Sequence, residues 1–250
     1  MRTIAGRTTA GALSVLAFAC CCLSASSREM KTWMITQFHE INGKEVTYIA
    51  KDFVRLDRLT NGYSIIIDER AGRVYFFSDK EKLLYKTKIK GFNYQSVNLL
   101  RMFTGDSRAG DSWRRAGSTR IGNTEVIRFI SEDYSNVFRG AKEGGYLSGE
   151  KRVVETETSF YVSKEIAISK DVSKLLSQLQ GTKDLGYVPL KEVTAWKEKI
   201  KTKTNLDLLD VRRIDLDVSK RLIPKGYRET SDLRDITNKD KSPAEELLCK

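Results

Sequence analysis

Histidine is almost missing from this chain: His39 is the only one in 250 residues. There is no C-x-x-C, no G-x-S-x-G and no glycine loop of the phosphate-cradling kind, so the usual zinc sites and histidine-activated nucleophiles cannot be assembled. The four cysteines, Cys20, Cys21, Cys22 and Cys249, stand at the two ends and supply no disulfide framework for a core. Basic residues are spread along the sequence, and none of their runs is interleaved with stacking aromatics. That pattern speaks against a nucleic-acid partner. From residue 228 onward there is no aromatic residue at all, which marks a charged tail, 229–250, expected to be mostly disordered.

What remains for acid–base or metal chemistry is carboxylate. Glu155 with Glu157, and Asp215 with Asp217, each place two acids at i, i+2 on one strand face. Such a pair suits a calcium ion or an acid/base couple, but also the wet side of a half-buried strand, and the wet side is the reading taken. His39 beside Glu40 is read as a surface strand end, with a pH-sensitive pair as the alternative. No catalytic residue, metal ligand or cofactor site is assigned.

A chain of this length can bury a real core, roughly 70–75% of what it exposes unfolded. Its 44 basic against 33 acidic residues give a net charge of +11, which favours anionic surfaces such as acidic lipid head groups. The N-terminus reads as an export signal over residues 1–19. Arg2 and Arg7 precede an uncharged, largely apolar segment over 10–22 that is too short to span a bilayer. Cleavage has two forms, left open here. Ala17 and Ala19 suit ordinary signal peptidase, whereas Leu16-Ala17-Phe18-Ala19-Cys20 resembles a lipobox that would make Cys20 a lipidated N-terminal residue. Two acyl chains there would anchor the protein to a membrane. Without lipidation, a bridge from this end to Cys249 is open.

Residues 64–78 set the pattern for the rest. Ile65, Ile66 and Ile67, then Val74, Tyr75, Phe76 and Phe77, flank the turn Glu69-Arg70-Ala71-Gly72 as a β-hairpin. Strands are expected at 32–39, 46–50, 53–59 and 83–89, separated by the turn signals Asn42-Gly43, Asn61-Gly62 and Ala71-Gly72. Further strands fall at 113–121, 124–130, 154–162 and 213–218. Helical spacing marks 93–103 and 171–179, the second ended by Gly181. The glycine-rich stretch 135–150 reads as an insertion. After a leader over 20–31, one domain is expected over 32–228, mainly β within the α+β class: a curved antiparallel sheet or half-barrel covered by a few helices.

The aromatics concentrate in the first half, on strands apolar on both faces. One face can be covered by helices; the other must meet a second layer or line a cavity. A cavity would suit an acyl chain, and its candidate lining is Tyr48, Phe53, Ile65, Ile67, Tyr75, Phe76 and Phe77.

Three stretches together resemble a known family. Gly117-Ser118-Thr119-Arg120-Ile121-Gly122 is similar to the G-x-x-x-I-x-G segment of the bacterial DUF4412 proteins. Thr158-Ser159-Phe160-Tyr161-Val162-Ser163-Lys164-Glu165 resembles their strand ending in V-S-K-D/E. Leu185-Gly186-Tyr187-Val188-Pro189-Leu190, Val211 to Asp215 and Ile223-Pro224-Lys225-Gly226-Tyr227 resemble their later motifs. The resemblance implies a fold like the lipoprotein carriers LolA and LolB and an exported or lipidated protein of the periplasm or outer membrane. The expected function is non-enzymatic binding of a lipid or acylated protein. The alternative is an envelope interaction protein with a fully packed sheet and a protein partner; hydrolysis by a carboxylate site ranks last. Oligomeric state is left open.

Overall fold

The computed structural model describes residues 29–92, 94, 112–139, 150–197 and 201–237. The leader with Cys20, the helix expected at 93–103, the centre of the 135–150 insertion and the end of the tail lie outside the described residues.

The fold is mainly β, one open, curled sheet of twelve strands with few helices. Six strands follow one another as a meander: β1 (Glu29–His39), β2 (Gly43–Ala50), β3 (Phe53–Arg58), β4 (Tyr63–Asp68), β5 (Arg73–Ser78) and β6 (Leu83–Lys88). Then come β7 (Arg114–Ile121), β8 (Thr124–Arg139), β9 (Glu150–Ser163), helix α1 (Lys170–Gln180), β10 (Pro189–Trp196), β11 (Lys201–Asp217), β12 (Arg228–Glu229) and the short helix α2 (Arg234–Thr237). The order across the sheet is β12-β6-β5-β4-β3-β2-β1-β11-β10-β9-β8-β7. All pairings are antiparallel except the brief parallel one of β12 with β6.

The turns form where the sequence places them. Gly43, Gly62, Gly72 and Gly122 all take positive φ. Gly43 is the most constrained: at φ 70° its neighbour across the turn is Thr60, into which a Cβ would run. Thr60 Oγ1 there accepts from the Lys44 amide at 3.1 Å, so this turn and the β3–β4 turn are tied together.

Alternation along β1–β6 sorts the apolar side chains onto two faces. On the inner face Ile35, Ile49, Val54, Leu56, Ile65, Ile67, Val74 and Phe76 pack with Val172, Leu175, Leu176 and Leu179 of α1. Those four helical residues recur at i, i+3, i+4 and i+7, so α1 buries one stripe on the sheet. Ser169 caps its start by accepting from the Val172 amide. Gly181, left-handed at φ 60°, ends it. Ser169→Ala is expected to cost about 1 kcal/mol, read in the urea midpoint.

On the opposite face Phe53, Ile66, Tyr75, Phe77 and Leu216 form a second cluster, covered by Ile223 and Tyr227. The segment after β11 is a strap. Arg221 reaches Asp52 at 3.1 Å and Asp68 at 3.4 Å, and the Arg228 amide donates to the Lys82 carbonyl at 2.8 Å. The strap then passes the β6 edge and sends Leu233 and Ile236 into the inner cluster. The expected disordered tail is corrected here: residues 229–237 belong to the fold. Two apolar side chains in a charged stretch are too weak a sequence signal, yet Ile236 is buried against the sheet edge. Phe160, Val162 and Ile127 form a third, smaller cluster with Trp113 and Leu185.

Candidate functional site

Register turns the inner face into cross-strand rows. One row runs Trp33, Ile49, Val54, Ile67, Val74; the next runs Ile35, Thr47, Leu56, Ile65, Phe76. Both are apolar apart from Thr47. The third row, nearest the Asn42-Gly43 and Asn61-Gly62 turns, is Gln37, Glu45, Arg58, Tyr63. It is polar throughout and lies beneath the C-terminus of α1.

Arg58 is the centre of that row, with only 1% of the residue exposed. Its Nε lies 3.0 Å from Glu45 Oε1. One terminal nitrogen donates to the Tyr63 hydroxyl and to that of Tyr94, the other to the Leu179 carbonyl of α1. The guanidinium also stands over both tyrosine rings, at 5.3 and 5.8 Å from their centroids. Gln180 Nε2 donates to Gln37 Oε1 at 3.1 Å, and Gln37 in turn donates to the Pro189 and Leu190 carbonyls. The orphan carbonyls at the end of α1 are thus held by the sheet. Burial pushes the Glu45 carboxyl above its ordinary range, with Arg58 as the largest opposing influence. Burial alone would lower the Arg58 guanidinium, but Tyr63, Glu45 and Tyr94 hold it above its ordinary range, so it stays charged.

The seven candidate lining residues do not share one surface. Ile65, Ile67 and Phe76 face α1 on the inner side. Phe53, Tyr75 and Phe77 face the strap, and Tyr48 packs beside them. Phe76 meets the rings of Tyr85, Phe92 and Tyr94, with centroids 6.1, 5.7 and 5.9 Å away.

The carboxylate pairs are spread among ion pairs. Glu155 meets Lys197 and Glu157 meets Arg128. Asp215 meets Lys31, and Asp217 accepts from the Ser219 amide. Among the described residues, no group of three or more His, Cys, Asp or Glu is placed to hold a metal ion. His39 is corrected from a surface position to a buried one, 1% exposed. It sits on the inner parity of β1, with Ile35 and Gln37, under the end of α1. Its sequence neighbour Glu40 is paired with Lys203, at 3.0 Å.

Sequence reasoning missed Glu45 and Arg58. The available signal was parity: Arg58 alternates in step with Val54 and Leu56, and Glu45 with Thr47 and Ile49. Both charges therefore stand on the apolar side of their strands, next to the turns that set their register.

No family model matches the chain, and no curated protein matches it. Among solved structures it is similar to an uncharacterized conserved protein from Thermus thermophilus, at 12% identity and a TM-score of 0.40, over 80% of this chain and 89% of that one.

Proposed function

We propose that the protein is a non-enzymatic, exported binding protein of the bacterial envelope, of the DUF4412 and LolA-like kind, that takes a lipid or acyl chain between α1 and the inner face of the sheet. The observation that carries this reading is the division of that face into two apolar rows and one polar row. Apolar rows hold a helix or an acyl chain equally well, because burial is non-directional. The polar row fixes where α1 ends. A buried ion pair contributes little net stability, since desolvation offsets most of its attraction, but it sets register and can act as a switch. Arg58 and Glu45 at the end of α1 are thus the natural fastening of a movable cover. The positive charge of the chain supports acidic head groups as partners, and lipidation at Cys20 would add membrane association.

A second reading has its own observation: both faces of β2–β5 are covered, one by α1 and one by the strap. A sheet packed on both sides suits an envelope interaction protein with a protein partner. Native mass spectrometry of the gently extracted protein, followed by denaturation and lipid analysis, separates the two. A bound acyl species beyond any covalent N-terminal lipid is the expected result. A clean apo mass that stays unchanged when lipids are offered would leave the interaction protein.

A further inference from the structure

The ring of His39 has its proton placed by its neighbours. Nδ1 lies 3.1 Å from the amide nitrogens of both Ile41 and Asn42, which donate to it. It is therefore unprotonated, and the proton sits on Nε2, which donates to the Gln180 carbonyl at 2.8 Å. Gln180 is the last residue of α1. One neutral imidazole thus ties the β1–β2 turn to the end of the helix.

The charged and titratable groups around it come from several elements. His39 and Arg58 hold successive carbonyls at the end of α1, those of Gln180 and Leu179. This sets beside the imidazole the cluster of Glu45 from β2, Arg58 from β3, Tyr63 from β4 and Tyr94 from the segment after β6. β10 brings Glu192, held by Asn205 at 2.9 Å and joined to His39 through Leu206 in register. Glu40, next in sequence, is paired with Lys203. The last turn of α1 brings no charged side chain.

We propose that His39 is an acid-operated release for α1: protonation at Nδ1 frees the C-terminal turn of the helix from the β1–β2 turn. An imidazolium carries two N–H donors and no acceptor. The Ile41 and Asn42 amides would lose their acceptor and face a donor instead. A second buried cation would stand in the same cluster as the Arg58 guanidinium, with burial costing it its hydration. A helix C-terminus does favour positive charge and would strengthen the bond to Gln180, but that gain is set against two backbone amides turned toward a donor at Nδ1. Glu45 works with the opposite sign. Its carboxyl is held above the ordinary range in the closed form, so acidification neutralises it and favours closure. Removal of His39 should therefore reverse the pH dependence and not merely flatten it.

The proposal rests on α1 being a movable cover, but its test needs no ligand. As the only histidine, His39 gives one set of ring signals in an NMR spectrum of the full chain. The expected result is the Nε2–H tautomer at neutral pH. On acidification, ring protonation should coincide with loss of amide protection over residues 176–181. That protection should fall about tenfold per pH unit, the slope of one coupled proton, while β4 and β5 stay protected. In His39→Gln, which retains a donor toward Gln180, the loss should give way to a gain in protection on acidification, the sign that Glu45 alone sets. Ring protonation with α1 still protected would overturn the proposal, as would an Nδ1–H tautomer at neutral pH, which the wild-type chain alone can reveal. The same pH-dependent loss in His39→Gln would overturn it too. A clean apo mass would sink the carrier reading and leave these signals as they are.

Discussion

Replacing Arg58 by methionine is expected to lower the free energy of unfolding by about 3–5 kcal/mol, because it leaves the Glu45 carboxylate buried without its cation. Glu45 is fully buried and Arg58 nearly so, at 0% and 1% side-chain exposure, so water cannot make up the loss. The Tyr63 and Tyr94 hydroxyls lose a donor as well, and the Leu179 carbonyl loses the bond that holds α1. The measurement is a urea titration with an unchanged slope and a lower midpoint. Adding Glu45→Leu to Arg58→Met should recover much of the loss, since an apolar pair in place of a buried ion pair is close to neutral. Lys31→Met, which breaks an exposed pair with Asp215, should leave the midpoint in place. Failure of the double variant to recover anything would mean that the hydrogen bonds to α1 outweigh the unpaired charge.

Phe76→Ala is the second large effect, again about 3–5 kcal/mol, from lost burial and the cavity left behind. Phe76 has no exposed surface and sits among three aromatic rings on one side and the α1 cluster on the other. Phe77→Ala, one residue along and on the opposite face, should cost a similar amount. Hydrogen exchange tells the two apart: the Phe76 variant should loosen α1, and the Phe77 variant should loosen the strap at Ile223 and Tyr227. Equal loosening of α1 by both would contradict the separation of the two faces. A charge placed at Phe76 is a poor probe of ligand uptake, since it would be buried without a partner and unfold the sheet.

The hairpins were legible because their signals are local. Asn42-Gly43, Asn61-Gly62, Ala71-Gly72 and Gly122-Asn123 each stand between strands and take the expected turn. So does α1, from Val172, Leu175, Leu176 and Leu179 to Gly181. The strand β10 was missed: Pro189 opens it, Leu190 is an extra residue within its pairing with β9, and the alternation is broken. β11 is legible only in its last third, since Lys201 to Asn205 is polar at every position and is strand because β10 pairs with it, while β1 takes up the pairing from Leu206 onward. The aromatic residues stand out in the sequence as a second layer or a cavity lining, but their distribution between two faces depends on the strap, whose own apolar residues are few. The burial of His39 follows from α1 lying over the end of β1, a contact between residues far apart in sequence.

The neighbour that β1 finds in β11 has a consequence for how the chain folds. Glu29 pairs with Asp217, and His39 with Leu206, whereas the strands of the β1–β6 meander meet across turns of a few residues. Hairpins of that kind form within microseconds. The β1–β11 seam cannot form until nearly the whole described chain is in place, and such non-local pairing raises contact order and slows folding. Until then β1 presents an open strand edge with unpaired amides and carbonyls, the feature most prone to pairing with another molecule. A chain stopped before residue 201 would keep that edge for good, so intermolecular association, not loss of the hairpins, is its expected mode of failure.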